Sequence, residues 1–182
     1  MSHLTRQPVA SATTVPDEPI VRSLAARRVL AVLRIMFGFY FLWAFLDKTF
    51  GLGFATPAER AWIAGGSPTK GFLSSSEGPF AGFYHALAGN AAIDALFMVG
   101  LLGIGLALIL GIGLRIAAVA GTIMYVMMWA VVLPLTTNPI IDDHLTGAVT
   151  LILFALTAAG TTWGLGRWWA GQTVVQHHPW LR

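Results

Sequence analysis

Long runs without a single charged side chain constrain this chain more than any other feature of its sequence. Three such runs, at 95–114, 116–135 and 145–166, are each long enough for a helix to cross a hydrocarbon core of roughly 30 Å at about 1.5 Å per residue. A fourth apolar run, at 29–48, contains an arginine and ends in an Asp-Lys pair. The sequence therefore predicts four membrane-spanning helices.

The composition agrees with a membrane protein and excludes several kinds of chemistry. Hydrophobic residues make up 56% of the 182 residues and charged residues 10%, whereas roughly a quarter of a soluble domain is charged. With no cysteine, the chain has no disulfide, thiolate metal site or thiol nucleophile. The net charge is +3, but the eleven basic residues are scattered, so we expect no binding of nucleic acid.

We predict an all-α integral membrane protein, an antiparallel four-helix bundle with a long structured outer loop between helices 1 and 2. A polar segment at 1–24 is interpreted as a disordered cytoplasmic tail, and 170–182 as a cytoplasmic C-terminal tail. The membrane domain covers 25–169, with helices at about 26–48, 91–114, 116–135 and 139–165 and the outer loop at 49–90.

The basic residues predict the orientation of the bundle. Loops on the cytoplasmic side of a membrane carry an excess of Lys and Arg. If both termini are cytoplasmic, that side holds Arg6, Arg22, Arg27, Arg28, Arg115, Arg167 and Arg182, and the outer side holds Lys48, Arg60 and Lys70. We therefore expect a multi-pass protein with both termini inside, and with most of its acidic residues at the outer side.

The outer loop contains the pattern of a short helix and several aromatic side chains. Thr56 and Glu59 have the spacing of a capping box, and Gly65 provides a stop, so a helix is expected over about 57–64. The aromatic residues either lie across the mouth of the bundle or form an interfacial belt. They are Phe72, Phe80, Phe83 and Tyr84.

The start of helix 4 has its own signal. Asn138 can act as the N-cap, and Pro139 suits the first helical position. Asp142 and Asp143 then fall in the first turns, where the helix dipole favours negative charge.

Arg34 is the most conspicuous residue of helix 1, because a charged group within a membrane span is costly unless it has a partner. No acidic residue of the four predicted spans lies at its depth. Its partner must be a backbone carbonyl, a lipid phosphate, another subunit or a bound ligand. A quinone is one such ligand, with a carbonyl head that needs donors and a tail that needs an apolar groove. Gly38, Phe41, Phe45 and Lys48 continue the face of Arg34 at helical spacing.

The outer ends of the helices carry a second group of polar residues. These are Asp47 and Lys48 on helix 1, His85 and Asp94 around the start of helix 2, and Asp142, Asp143 and His144 at the start of helix 4. In a four-helix bundle they meet at one depth. At least one carboxylic acid is then expected to have a raised pKa, and such a cluster can pass protons. A solvated rim where helices emerge into water is the alternative. No haem or metal is expected, because His85 is in a loop.

Several short motifs resemble the DoxX/DoxD family of small bacterial four-helix membrane proteins. On helix 1 the motif combines Arg34, Gly38 and Phe41 with Trp43 and the Asp47-Lys48 pair. Further motifs are 106–111 with 114–118, the helix 4 exit at 164–168, and the loop 61–72. The resemblance covers about residues 25 to 169.

This resemblance implies a subunit of quinone-linked oxidoreduction in the bacterial cytoplasmic membrane, with thiosulfate:quinone oxidoreductase as the family's named activity. We therefore expect a quinone as cofactor and a partner subunit or enzyme as electron donor, and a homo-oligomer is possible. The quinone-binding residues would be Arg34, Gly38, Phe41, Trp43 and Phe45. The residues that handle protons would be Asp142, Asp143, His144, Asp47 and Lys48. The alternatives are a non-enzymatic membrane anchor for a partner enzyme and, third, a small transporter.

Overall fold

The computed structural model describes residues 20–182, and these residues contain helices and turns but no strand. The eight α-helices, in chain order, are α1 Leu24–Phe50, α2 Lys70–Ser74, α3 Ala81–Leu87, α4 Ala91–Leu110, α5 Leu114–Val131, α6 Asp143–Leu156, α7 Gly166–Ala170 and α8 Thr173–His177. The expectation of an all-α protein is confirmed for this part of the chain. Of the predicted tail at 1–24, residues 1–19 lie outside the described part of the chain.

Three of these helices are long and apolar enough to cross a membrane: α1, α4 and α5. The 20 residues of α4 correspond to about 30 Å, close to the thickness of a hydrocarbon core. The apolar α6 is shorter, with 14 residues or about 21 Å. The prediction of a membrane protein is thus supported by length and composition for three helices.

The long helices pack mainly as neighbours in sequence. α1 lies against α4 and α5 lies against α6, whereas α4 and α5 contact each other less extensively. Glycines allow the close approach of α1 and α4, since a Cβ on Gly105 would come 2.8 Å from the backbone nitrogen of Leu42. The resulting core joins α1, α4, α5 and α6 through buried residues that include Phe41, Met98, Leu108 and Phe154.

The two ends of this assembly differ in charge. At the basic end, α1 and α5 begin and α4 ends, and the charged residues described there are Arg22, Arg27, Arg28, Arg115, Arg167 and Arg182. At the acidic end, α1 ends and α4 and α6 begin. The acidic residues described there are Asp47, Glu59, Glu77, Asp94, Asp142 and Asp143.

α6 begins and ends inside the range predicted for helix 4. The side chain of Asn138 accepts from the amides of Ile140 and Ile141 in a turn, and Asp142 is the N-cap, so the helix starts later than 139. It stops at Leu156, and Ala158 then has a left-handed backbone with φ of 48°. Gly160 follows in a short 3₁₀ turn against α4, where a Cβ would lie 2.1 Å from the carbonyl oxygen of Gly111. This close approach explains why the helix does not continue to 165.

The connection between α1 and α4 is structured, but the helix expected over 57–64 is two 3₁₀ turns, Ala58–Arg60 and Trp62–Ala64. Ala61 separates them with an extended backbone, and Thr56 makes no capping hydrogen bond. Gly65 ends the second turn with φ of 86°, as the sequence predicted for a stop.

The C-terminal segment at 170–182 folds back on the basic end. Val175 of α8 is fully buried, and Trp169 donates from Nε1 to the carbonyl of Leu181. The amide of Arg115, at the start of α5, donates to the carbonyl of Arg182 at 2.8 Å. These contacts attach the end of the chain to α5.

Candidate functional site

Arg34 is fully buried and its guanidinium binds backbone carbonyls on two sides. One terminal nitrogen donates to Leu108 and, at 3.0 Å, to Ile109 near the end of α4. The other donates to Thr162 at 3.3 Å and Trp163 at 3.0 Å in the segment after α6. Carbonyl groups near a helix C-terminus carry partial negative charge, so they suit a cation. The partners of Arg34 are therefore backbone carbonyls, which is one of the four kinds of partner predicted from the sequence.

The predicted quinone-binding face of α1 is occupied by helix packing. Gly38 and Phe41 are buried, and a Cβ on Gly38 would come 2.7 Å from the side chain of Ile109. The ring of Phe41 meets the ring of Tyr125 at 5.3 Å between centroids. Phe45 is half-buried against the same core. Trp43 is on another side of α1, where its ring contacts Phe54 at 5.1 Å.

Asp47 holds the chain that leaves α1. Its side chain is buried, and its two carboxylate oxygens accept from the amides of Phe54 at 3.2 Å and Ala55 at 3.1 Å. Gly51 ends the helix with φ of 64°, and its amide donates to the carbonyl of Asp47. The carboxylate therefore stabilises the turn at 51–55.

Asp142 is the N-cap of α6. One carboxylate oxygen accepts from the amide of Leu145 at 3.1 Å, and the other lies 2.6 Å from Nδ1 of His144. Partial burial alone would raise the pKa of Asp142, but the hydrogen bonds from His144 and Leu145 outweigh it and hold this pKa below its ordinary value. The raised pKa expected in the outer cluster is therefore wrong for Asp142, which is ionised at neutral pH.

Asp143 and His144 complete this group. Their ligand atoms and those of Asp142 lie within 4.8 Å of one another, a spacing that a metal ion could bridge. One oxygen of Asp142 already caps the helix and the other pairs with His144, however, and the side chain of Asp143 is 84% exposed. These contacts are those of a helix cap.

The polar residues of the acidic end bind different segments of the chain. Asp47 binds the turn after α1, Asp94 binds Thr69 in the connecting segment, and Asp142 binds the start of α6. His85 pairs with the carbonyl of Ser76 at 3.0 Å. Among residues 20–182, no hydrogen bond or ion pair joins these acids to one another. Their predicted catalytic roles stay predictions.

A separate cavity of about 420 Å³ lies between α4 and α5, in the half of these helices nearer the acidic end. Its walls are mainly apolar. Pro68, Thr69 and Phe72, from the segment between α1 and α4, form one side of the cavity, and Tyr84 of α3 lies beside them. The helical residues of this α4–α5 cleft include Phe97, Gly100 and Ile104 on α4 and Ile123, Met124 and Met127 on α5. A cleft of this size fits part of an amphiphile with a long apolar tail.

Among residues 20–182, Lys48 contributes the only charged side chain that lines the α4–α5 cleft. It is attracted by the neighbouring Asp47, whose oxygens are held by loop amides. Its ammonium makes no hydrogen bond or ion pair within the described part of the chain. Lys48 is thus a predicted site residue that lies at a cavity and has hydrogen-bond donors available.

The hydroxyl of Tyr84 is fixed at the edge of this cleft. It donates to the carbonyl of Met127, near the end of α5, at 3.1 Å. Burial raises the pKa of Tyr84, so its hydroxyl remains protonated. Of the aromatic residues in this segment, Phe72 and Tyr84 line the cleft, whereas Phe80 and Phe83 are at least half exposed. Their position across the bundle mouth or in an interfacial belt stays a prediction.

Sequence reasoning missed most of the residues that line the cleft. Met124, Met127, Met128 and Thr69 line the cleft, and none of them is among the candidate residues that the sequence predicts. The available signal was the concentration of flexible methionines on one stretch of α5, because methionine adapts to variable apolar partners.

In comparisons with known proteins, no family model, curated sequence or solved structure matches this chain.

Proposed function

We propose that this protein is a quinone-binding membrane subunit and that the quinone occupies the α4–α5 cleft. The single observation that supports this most is the pairing of a long apolar cleft with one cation, Lys48, at its acidic end. An ammonium group can donate to a quinone carbonyl, and the apolar walls can accommodate an isoprenoid tail. This location differs from the face of Arg34, whose terminal nitrogens are already occupied.

The residues present are compatible with such a group. Lys48 would hold the head, while Phe97, Ile123 and Met124 would contact the tail. A bound quinone supplies a carrier for two electrons and two protons. The hydroxyl of Thr69 donates to the carboxylate of Asp94 at 2.6 Å. Thr69 therefore forms part of the wall, but its hydroxyl proton is not available to a quinone.

The wider assignment also belongs to this proposal. In it, α6 and the turns after it complete a fourth antiparallel crossing, and both termini are cytoplasmic in a bacterial membrane. The protein is DoxX/DoxD-like, and a partner subunit donates electrons, with thiosulfate:quinone oxidoreductase as the reaction type. The excess of arginine at the basic end supports the orientation.

Quinone retention tests the proposal. Protein purified in mild detergent would be extracted with organic solvent, and the quinone would be quantified by chromatography against a lipid-only control. Gly100→Leu places a side chain into the cleft, where its Cβ would come 2.5 Å from the end of the flexible Met124 side chain, and it should largely abolish retention. The matched control is Gly103→Leu on the same helix, because a Cβ at Gly103 meets no heavy atom within 4 Å.

A second pair of variants tests the head group. Lys48→Met should lower quinone affinity about tenfold, because a hydrogen bond to a charged group contributes about 1.5 kcal/mol or more. Lys70→Met removes an exposed ammonium at the same end and should have no effect. Equal retention in Gly100→Leu and Gly103→Leu, or no quinone above the control, would contradict the proposal.

A non-enzymatic anchor for a partner enzyme is the second candidate. It is favoured by the structural use of the buried charged groups, since Arg34, Asp47 and Asp94 all bind other parts of the chain. Exposed aromatic residues of the connecting segment, such as Phe54 and Phe80, would form the contact surface. Co-purification of a partner that persists in Gly100→Leu would support this function.

A further inference from the structure

A second cavity, of about 490 Å³, lies at the basic end of the molecule. Its walls come from the first turns of α1 and the residues before it, the end of α4, the start of α5, the end of α6 with the segment after it, α7, and Arg182. Four arginines line it, namely Arg27, Arg115, Arg167 and Arg182, and among residues 20–182 no acidic side chain lines it. We call this cavity the arginine basin.

The arginines of the basin are only partly engaged within the described part of the chain. Arg27 uses Nε to donate to the hydroxyl of Thr162 at 3.2 Å, and Arg115 uses one terminal nitrogen to donate to Pro179 at 2.9 Å. The side chains of Arg167 and Arg182 make no hydrogen bond or ion pair with residues 20–182. Each guanidinium carries five N–H donors, so many remain for a ligand. Mutual repulsion of the four charges would also be relieved by an anion.

The basin is a built feature of the fold. The C-terminal segment closes one side, held by the bond from the Arg115 amide to Arg182 and by the bond from Trp169 to Leu181. Gly111 and Gly160 bring the end of α4 against the turn after α6 on another side. These tertiary contacts fix the backbone around the basin, and the exposed side chains of Arg115, Arg167 and Arg182 line it.

The position of the basin indicates what kind of anion it would take. It lies where α5 begins, and α5 is long and apolar enough to span a membrane, so this depth corresponds to the boundary of the hydrocarbon. Leu114 and Leu156 add apolar surface to its lining, and the tryptophans Trp163 and Trp168 are exposed nearby, as is common at headgroup depth. Guanidinium groups bind phosphate oxygens in a bidentate manner.

We propose that the arginine basin binds the phosphate-bearing headgroup of an anionic phospholipid, with the acyl chains directed along the apolar surface beside Leu114 and Leu156. This site is independent of the quinone proposed for the α4–α5 cleft. In this proposal the arginines bind a specific ligand, and this role is separate from the effect of their charge on the orientation of the protein in the membrane.

Lipid binding to the full-length protein tests this proposal. Delipidated protein in detergent would be titrated with phosphatidylglycerol, and the complexes would be counted by native mass spectrometry. Phosphatidylcholine serves as the zwitterionic comparison, and inorganic phosphate as the soluble competitor. We expect one tightly bound phosphatidylglycerol that phosphatidylcholine and millimolar phosphate do not displace.

Arg167→Gln is the decisive variant, because the Arg167 side chain has no partner among the described residues and its loss should leave the fold intact. It should weaken phosphatidylglycerol binding by about fivefold, in line with the contribution of one arginine at an anionic membrane surface. Arg28→Gln is the matched control, since Arg28 is exposed at the same end and does not line the basin.

Three results would overturn the proposal. Equal weakening in Arg28→Gln would mean a diffuse attraction to the whole basic end. Equal affinity for phosphatidylcholine would mean that the anionic headgroup is not recognised. Displacement of the lipid by inorganic phosphate would mean that the basin takes a soluble anion.

Discussion

The carboxylate of Asp94 accepts two hydrogen bonds from Thr69, one from the hydroxyl at 2.6 Å and one from the amide at 3.1 Å. Both residues are buried, with about one twentieth of their surface exposed. This contact attaches the segment between α1 and α4 to the first turn of α4. Because Thr69 lines the α4–α5 cleft, the contact also fixes one wall of the proposed quinone site.

Removal of the Asp94 carboxylate should destabilise the protein and loosen this wall. Asp94→Ala leaves the buried donors of Thr69 without a partner, which costs about 2–3 kcal/mol. Thermal unfolding in detergent, followed by tryptophan fluorescence, should show a lower midpoint. Glu77→Ala removes an exposed carboxylate from the same segment and should leave the midpoint unchanged. An equal midpoint in both variants would mean that the Thr69 contact contributes little.

Arg34 should be essential for stability. Arg34→Met would leave carbonyls of α4 and of the segment after α6 unpaired, and we expect a loss of more than about 3 kcal/mol in the free energy of unfolding. Arg34→Lys should be intermediate, because an ammonium cannot reach two groups of carbonyls with the geometry of a guanidinium. The measurement is unfolding in mixed micelles, with Arg28→Met as the exposed control.

The Arg34→Lys variant also distinguishes a structural role of Arg34 from a role in binding a ligand. If Arg34→Lys remains folded, it should retain quinone as the unaltered protein does. A folded Arg34→Lys protein that has lost quinone would support the site predicted along α1 from the sequence and would contradict the α4–α5 cleft.

Much of the helical framework was predictable from the sequence, because the length of an apolar run is a local property. The predicted helices at 26–48 and 91–114 correspond to Leu24–Phe50 and Ala91–Leu110. The ends of α6 were less predictable, because two side chains compete as caps. Asn138 closes a turn, and Asp142 caps the helix since it binds His144 as well as Leu145.

The environments of the polar residues were not predictable, because they depend on contacts between distant segments. Arg34 binds carbonyls that lie 74 to 129 residues away in sequence, and no sequence pattern marks a carbonyl as available. Asp94 and Thr69 are 25 residues apart, and the sequence offers no register for the segment between α1 and α4. The cleft depends on how α4, α5 and the segment between α1 and α4 pack together, and its lining on both long helices is apolar, like core or lipid-facing surface.

The close packing of α1 and α4 provides a further test. Gly105→Ala would place a Cβ 2.8 Å from the backbone nitrogen of Leu42 and 3.2 Å from the carbonyl oxygen of Gly38, so α1 would have to move. We expect a loss of about 1–3 kcal/mol. Gly103→Ala meets no atom within 4 Å and should be neutral or slightly stabilising, because alanine favours a helix more than glycine does. Thermal unfolding of the two variants side by side checks this, and a neutral Gly105→Ala would contradict the tight contact.

The cap of α6 should make stability depend on pH in the acidic range. The pKa of Asp142 is lower in the folded protein than its ordinary value of 3.8, so ionised Asp142 stabilises the folded state. This contribution is fully present above about pH 5 and is lost as the pH falls through the folded-state pKa, below about pH 4.

Asp142→Asn isolates this charge, because asparagine is also a good N-cap. The unfolding midpoint of the unaltered protein should exceed that of Asp142→Asn at pH 7, and the difference should shrink as the pH is lowered from 5 to 3. The other titratable groups at this site are Asp143 and His144, and Asp143→Asn serves as the control because the Asp143 side chain is mostly exposed. A carboxylic acid band that persists at neutral pH in the infrared spectrum and disappears in Asp142→Asn would contradict the lowered pKa, and would return Asp142 to the proton-handling role predicted from the sequence.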